Sequence, residues 1–161
     1  MILGLTPFAA AHTLITLVAI VSGLAMLNGM LRNRRRDGAT ALFLLFSVLT
    51  AITGFLLPYA AITPAVVLGI VLSVLLVPAL ASRYVFRMAG AWRWIFVVTA
   101  LVSLYLNCFV LVVQSFQKIP PLHALAPGIP PAGPIFAATQ GLVLIAFIVA
   151  GYLAVRRFRP R

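Results

Sequence analysis

Apolar runs of about twenty residues, separated by short polar punctuation, recur five times along this chain. A helix rises about 1.5 Å per residue, so a run of roughly twenty residues crosses a hydrocarbon core about 30 Å thick. The pattern predicts spans at Pro7 to Leu31, Ala39 to Pro58, Pro64 to Ser82, Trp94 to Phe116 and Pro134 to Val155. Thr6 before Pro7 and Thr63 before Pro64 each offer a hydroxyl N-cap followed by proline in the first turn, where its missing N–H leaves no bond unmade. Only Tyr59 to Thr63 separates the second span from the third, which predicts an antiparallel helical hairpin. Pro78 lies inside the third span and predicts a kink there. Residues 117–133 hold Pro120, Pro121, Pro127, Pro130 and Pro131, and predict a stiff, partly extended cap.

Composition changes this picture only by strengthening it. Of 161 residues, 64% are hydrophobic and 8% charged, against about one quarter charged in soluble domains. The predicted fold is all-α: a polytopic membrane protein forming a single bundle of five transmembrane helices. The first apolar run is too long for a signal-peptide core and has no basic flank before it, so it is expected to stay as a helix.

Charge orients the bundle. Eleven of the twelve basic residues are arginines, clustered at Arg32 to Arg36, Arg83 to Arg93 and Arg156 to Arg161, with two spans between successive clusters. Cytoplasmic loops carry the excess of basic residues. Five spans then place the N-terminus outside and the C-terminus in the cytoplasm, leaving only Lys118 outside. Moving the four arginines of the first linker against 100 mV would alone cost about 9 kcal/mol. The net charge of +11 is therefore a topological signal, and nucleic acid is not an expected partner. Arg83, Tyr84, Arg87, Trp92, Arg93 and Trp94 read as membrane anchors, since aromatic rings and long cationic side chains settle at the headgroup level. Asp37, the only acidic residue, reads as a local salt bridge or turn.

Polar residues within the spans are where function would be written, because leaving them unpaired in lipid is expensive. His12, Thr16, Ala19, Gly23 and Met26 recur at helical spacing on one face of the first span. Thr99, Ser103, Asn107 and Gln114 form a stripe along the fourth. His12, Gln114 and Gln140 are expected toward the same outer leaflet, beneath the proline-rich loop that carries His123. Thr16, Ser103, Asn107, Gln114, Gln140 and His123 are thus candidate ligand-lining residues, and His12 is the candidate cofactor contact. An imidazole can ligate haem iron or the magnesium of a bacteriochlorophyll, or hydrogen-bond a quinone. The plainer expectation is helix packing with no cofactor, with Ala19 and Gly23 as a close-approach pair.

Several chemistries are missing. With Asp37 in a loop, no carboxylate lies within a span to couple a proton or cation. There is no HExxH pair and no GxSxG elbow, and the single Cys108 makes neither an internal disulfide nor a cysteine metal site. No catalytic residue and no metal site are expected.

The stretch SRYVFRMAGAWRWIFVVTALVSLYLNCFVLVVQSFQKIPPLHALAP, from Ser82 to Pro127, resembles a family of small uncharacterised bacterial inner-membrane proteins. AGAWRWI, LYLN and LVVQSF carry the resemblance, supported by HTLITLVAIVSG from His12 and DGATALFL from Asp37. Beyond Pro127 the chain departs from that pattern. The family has no assigned activity, so the resemblance implies a multi-pass protein of the bacterial inner membrane and nothing of its chemistry. Three functions are expected on these grounds. The first is a non-catalytic accessory or assembly subunit packing against integral membrane subunits of a larger respiratory or photosynthetic complex. The second is a membrane-embedded protein for a cofactor or lipophilic ligand, and the third a small uncoupled carrier or pore.

Overall fold

The computed structural model describes residues 6–57 and 63–159. Among these every regular element is helical. Helix α1 runs Pro7–Leu31, α2 Asp37–Phe55, α3 Pro64–Leu80, α4 Trp92–Lys118, α5 Pro120–Leu125 and α6 Pro134–Arg157. With the segment after α3 included, five of these helices are long and apolar enough to cross a membrane. Thr6 Oγ1 accepts from Ala9 N–H at 3.2 Å and Thr63 Oγ1 from Val66 N–H at 3.4 Å, so both threonine–proline pairs start their helices. Of the link expected at Tyr59 to Thr63, only Thr63 falls within the described residues. Helices α2 and α3 do pack side by side.

Several helices extend past the apolar runs, for electrostatic reasons. A helix carries partial positive charge at its start and negative charge at its end. Asp37 accordingly opens α2, Lys118 closes α4, and Arg156 with Arg157 closes α6. At its other end α2 stops at Phe55, short of the expected Pro58. Within residues 117–133 a short helix, α5, forms because Pro120 and Pro121 occupy its first turn, where proline is tolerated.

Helix α3 passes through Pro78 and stays α-helical to Leu80. It then widens into a π-turn over Ala81–Val85, with Phe86 N–H donating to Ala81 O at 2.9 Å. Proline lacks the N–H that would hold the preceding turn, and such wide turns are one way a helix absorbs the defect. The chain reverses through Arg87 and Met88, both at positive φ, and Phe86 stacks on Trp92 with centroids 3.8 Å apart.

Helix α4 is the centre of the bundle, packing against α1, α3, α5 and α6, while α1 also lies along α2. Gly23 is required where α1, α2 and α4 meet. A Cβ there would stand 2.5 Å from Leu104 Cδ1 and 2.8 Å from Phe43 Cδ2. The core is concentrated in the arginine-bearing half, built from Met26, Met30, Phe43, Leu44, Phe96, Val97 and Leu104.

The described members of the three arginine clusters gather at that end of the bundle. Asp37 makes the expected local bridge, to Arg35 at 3.5 Å, and also pairs with Arg83, which ties α2 to the π-turn across 46 residues of chain. Arg93 donates to Val155 O at 2.9 Å and to Phe158 O at 2.6 Å, covering carbonyls that the end of α6 leaves without helical partners. Arg159 N–H reaches Asn33 Oδ1 at 2.7 Å and brings the C-terminal segment against the first linker. The six expected anchors therefore divide. Tyr84, Arg87 and Trp94 are exposed, whereas Arg83, Trp92 and Arg93 are half-buried and engaged by other residues of the chain.

Candidate functional site

At the end away from the arginines, helices α1, α2, α3 and α4 part around a cavity of about 230 Å³. Helix α1 contributes Ala9, His12, Thr13, Thr16 and Leu17, at spacings of three and four that define one face. Helix α4 contributes Leu106, Asn107, Val110, Leu111, Gln114 and Lys118 by the same periodicity. From Asn107 to Lys118 the cavity extends eleven helical positions, roughly 16 Å along the axis. Leu57, Ala65 and Leu68 line it from α3 and the end of α2, and Ala51, Gly54 and Gly69 keep its walls thin.

The polar groups on this wall are held by different means. His12 Nδ1 lies 2.7 Å from Thr53 Oγ1 on α2. Thr53 in turn donates to Leu49 O at 2.7 Å, one turn back in its own helix. Thr16 Oγ1 donates to His12 O at 3.0 Å and lies 3.3 Å from Thr50 Oγ1. Threonine hydroxyls in apolar helices satisfy themselves this way against the carbonyl four residues back. Asn107, buried at the inner end, donates from Nδ2 to Ser47 Oγ at 3.4 Å. Gln114 is different, because its Oε1 is buried without a partner.

Of the candidate residues, His12, Thr16, Asn107 and Gln114 are brought together on the cavity wall. Ser103 is fully buried below it and donates to Thr99 O at 2.8 Å. Gln140 on α6 donates to Phe109 O at 3.1 Å, away from the cavity lining, and its Oε1 is also unpartnered. His123 on α5 stands with Nδ1 3.3 Å from Phe116 O and does not line the cavity either. A pair of axial histidines is therefore not assembled on this wall. Among the described residues no cluster of three metal-ligating side chains occurs.

The sequence stripes missed Thr50 and Thr53, which position Thr16 and His12, and Lys118 on the cavity wall. A signal existed on the second span, where Thr40, Ser47, Thr50 and Thr53 follow one another at offsets of seven, three and three. Those offsets make a polar stripe, and Thr40, Ser47 and Thr50 are buried.

Comparisons with protein-family models, curated proteins and solved structures found no match.

Proposed function

We propose that this is a non-catalytic integral protein of the bacterial inner membrane that holds a lipophilic ligand in the cavity between α1, α2, α3 and α4. The observation that carries the reading is the chemistry of the wall. It is mostly aliphatic, with a few converging polar groups, His12, Thr16 and Asn107 among them. Small-molecule sites have this make-up, apolar surface for affinity and a few polar groups for orientation. The positive-inside rule, applied to the gathered arginines, puts the cavity in the outer leaflet with the N-terminus outside and the C-terminus in the cytoplasm. The hydroxyl–imidazole pair of Thr53 and His12 is not set up for hydrolysis, since Thr53 donates to Leu49 O and no third group among the described residues orients the ring.

The test is purification in mild detergent followed by native mass spectrometry and an absorption spectrum. A bound lipophile is expected on the native chain and absent from Val110→Phe, which places a ring in the cavity. A native chain that carries nothing, or a filled variant that keeps the same molecule, would overturn the reading. Orientation is checked separately in a Cys108→Ala background. Lys118→Cys should react with an impermeant maleimide added to intact spheroplasts, and Asn33→Cys should not.

A second reading, an accessory subunit within a larger membrane complex, is supported by α6. Only 11% of its apolar window is buried within the chain, against 44% for α4. Lipid alone can cover such a face, so this reading depends on integral subunits co-purifying with the protein.

A further inference from the structure

The hydrogen bonds around His12 fix which kind of head group the cavity can receive. A threonine hydroxyl has one hydrogen to give. Thr53 gives its hydrogen to Leu49 O, so toward His12 its oxygen acts as the acceptor. A neutral imidazole has one N–H. That hydrogen must then sit on Nδ1, and Nε2 is left with a bare lone pair and no partner among the described residues. At His12 the cavity thus asks its occupant for a hydrogen-bond donor.

We propose, resting on the ligand-binding reading above, that the cavity takes a hydroquinone-class lipophile, one hydroxyl of which donates to His12 Nε2. An oxidised quinone offers carbonyl oxygens, which are acceptors, and sets lone pair against lone pair at His12. A glycerol-headed lipid supplies hydroxyls but adds ester oxygens that the aliphatic wall leaves unpaired. A tetrapyrrole could use a bare Nε2 as a metal ligand, yet about 230 Å³ is less than the roughly 300–1,000 Å³ usual even for drug-sized ligands. A flat, apolar ring with two hydroxyls matches the wall in both its polar and its apolar parts.

The experiment measures binding of decylbenzoquinone and of its chemically reduced hydroquinone to the protein in nanodiscs, under anaerobic conditions, with monoolein as a third probe. The hydroquinone is expected to bind at least tenfold more tightly than the quinone. Thr53→Val removes the acceptor that holds the proton on Nδ1, frees the ring to use its other tautomer, and should collapse the preference while binding persists. Thr53→Ser retains an oxygen able to accept, and should keep the preference. Equal binding of the two forms, tighter binding of the quinone or monoolein, or a preference unchanged in Thr53→Val would each overturn the proposal. If neither benzoquinone form binds but a native lipophile is still displaced by Val110→Phe, the hydroquinone assignment fails and the ligand-binding reading stands. If the native cavity carries nothing and takes none of the probes, both fail.

Discussion

The two halves of this bundle use the same four helices in opposite ways. In the arginine-bearing half, α1 and α4 bury Ala19, Met26, Met30, Phe96, Val97 and Leu104 almost completely, and Gly23 admits no added atom without displacing Phe43 and Leu104. In the other half α1 has no buried residue before Ala19, threonines stand in for large side chains, and a cavity remains. One end of each helix is given to cohesion and the other to space. Lipid is as apolar as a leucine core, so cohesion rests on dispersion contacts and polar ties more than on exclusion of water. A region that gives up those contacts is held by its neighbours, and the packed half is what allows the open one.

The sharpest way to break this comparison is to truncate one aromatic in each half. Phe43→Ala should destabilise the protein by about 3 kcal/mol, because the surrounding side chains cannot close the void. Phe55→Ala, at an exposed position on the cavity rim, should change stability by less than about 1 kcal/mol. Thermal unfolding in detergent compares the two directly. Arg93→Met comes next. Losing two charge-assisted bonds to the end of α6 should lower stability by about 2 kcal/mol and raise hydrogen–deuterium exchange over the last turn of α6. Glycine substitutions then sharpen the contrast at smaller scale. Gly23→Ala should cost about 1–2 kcal/mol by overpacking. Gly54→Ala, whose new methyl meets only His12 Cε1 at an ordinary 3.5 Å, should stay within about 0.5 kcal/mol in the same assay. His12→Ala, which removes a side chain tied by one hydrogen bond, should fall between the two glycine substitutions and lower stability by roughly 1 kcal/mol.

Much of this architecture is legible in the sequence because lipid permits few solutions. Hydropathy finds the five spans, and Thr6–Pro7 and Thr63–Pro64 mark their starts. The helix ends are less legible, since Asp37, Lys118 and Arg157 extend their helices for electrostatic reasons that hydropathy does not weigh. Within a helix, periodicity puts His12 with Thr16 and Asn107 with Gln114. It does not say which neighbour a face will meet. Ser103 and Asn107 share a stripe, yet one lies buried against its own helix and the other lines the cavity. Gln140 shares a depth with Gln114 but turns to Phe109 O instead. The partnership of His12 with Thr53 depends on the register between α1 and α2, which no single-helix pattern contains.

Arg93 grips α6 by backbone carbonyls, and backbone carbonyls are the same whatever side chains the residues carry. The grip should therefore let the sequence around it drift. Among descendants of this chain, the exposed Arg156 and Arg157 could exchange with lysine, which keeps the positive charge at the end of α6, while Arg93 and the buried Ala154 and Phe158 stay fixed. The C-terminal end would then vary where it is exposed and hold constant where it is gripped, so its pattern of variation in related sequences is a record of this one contact.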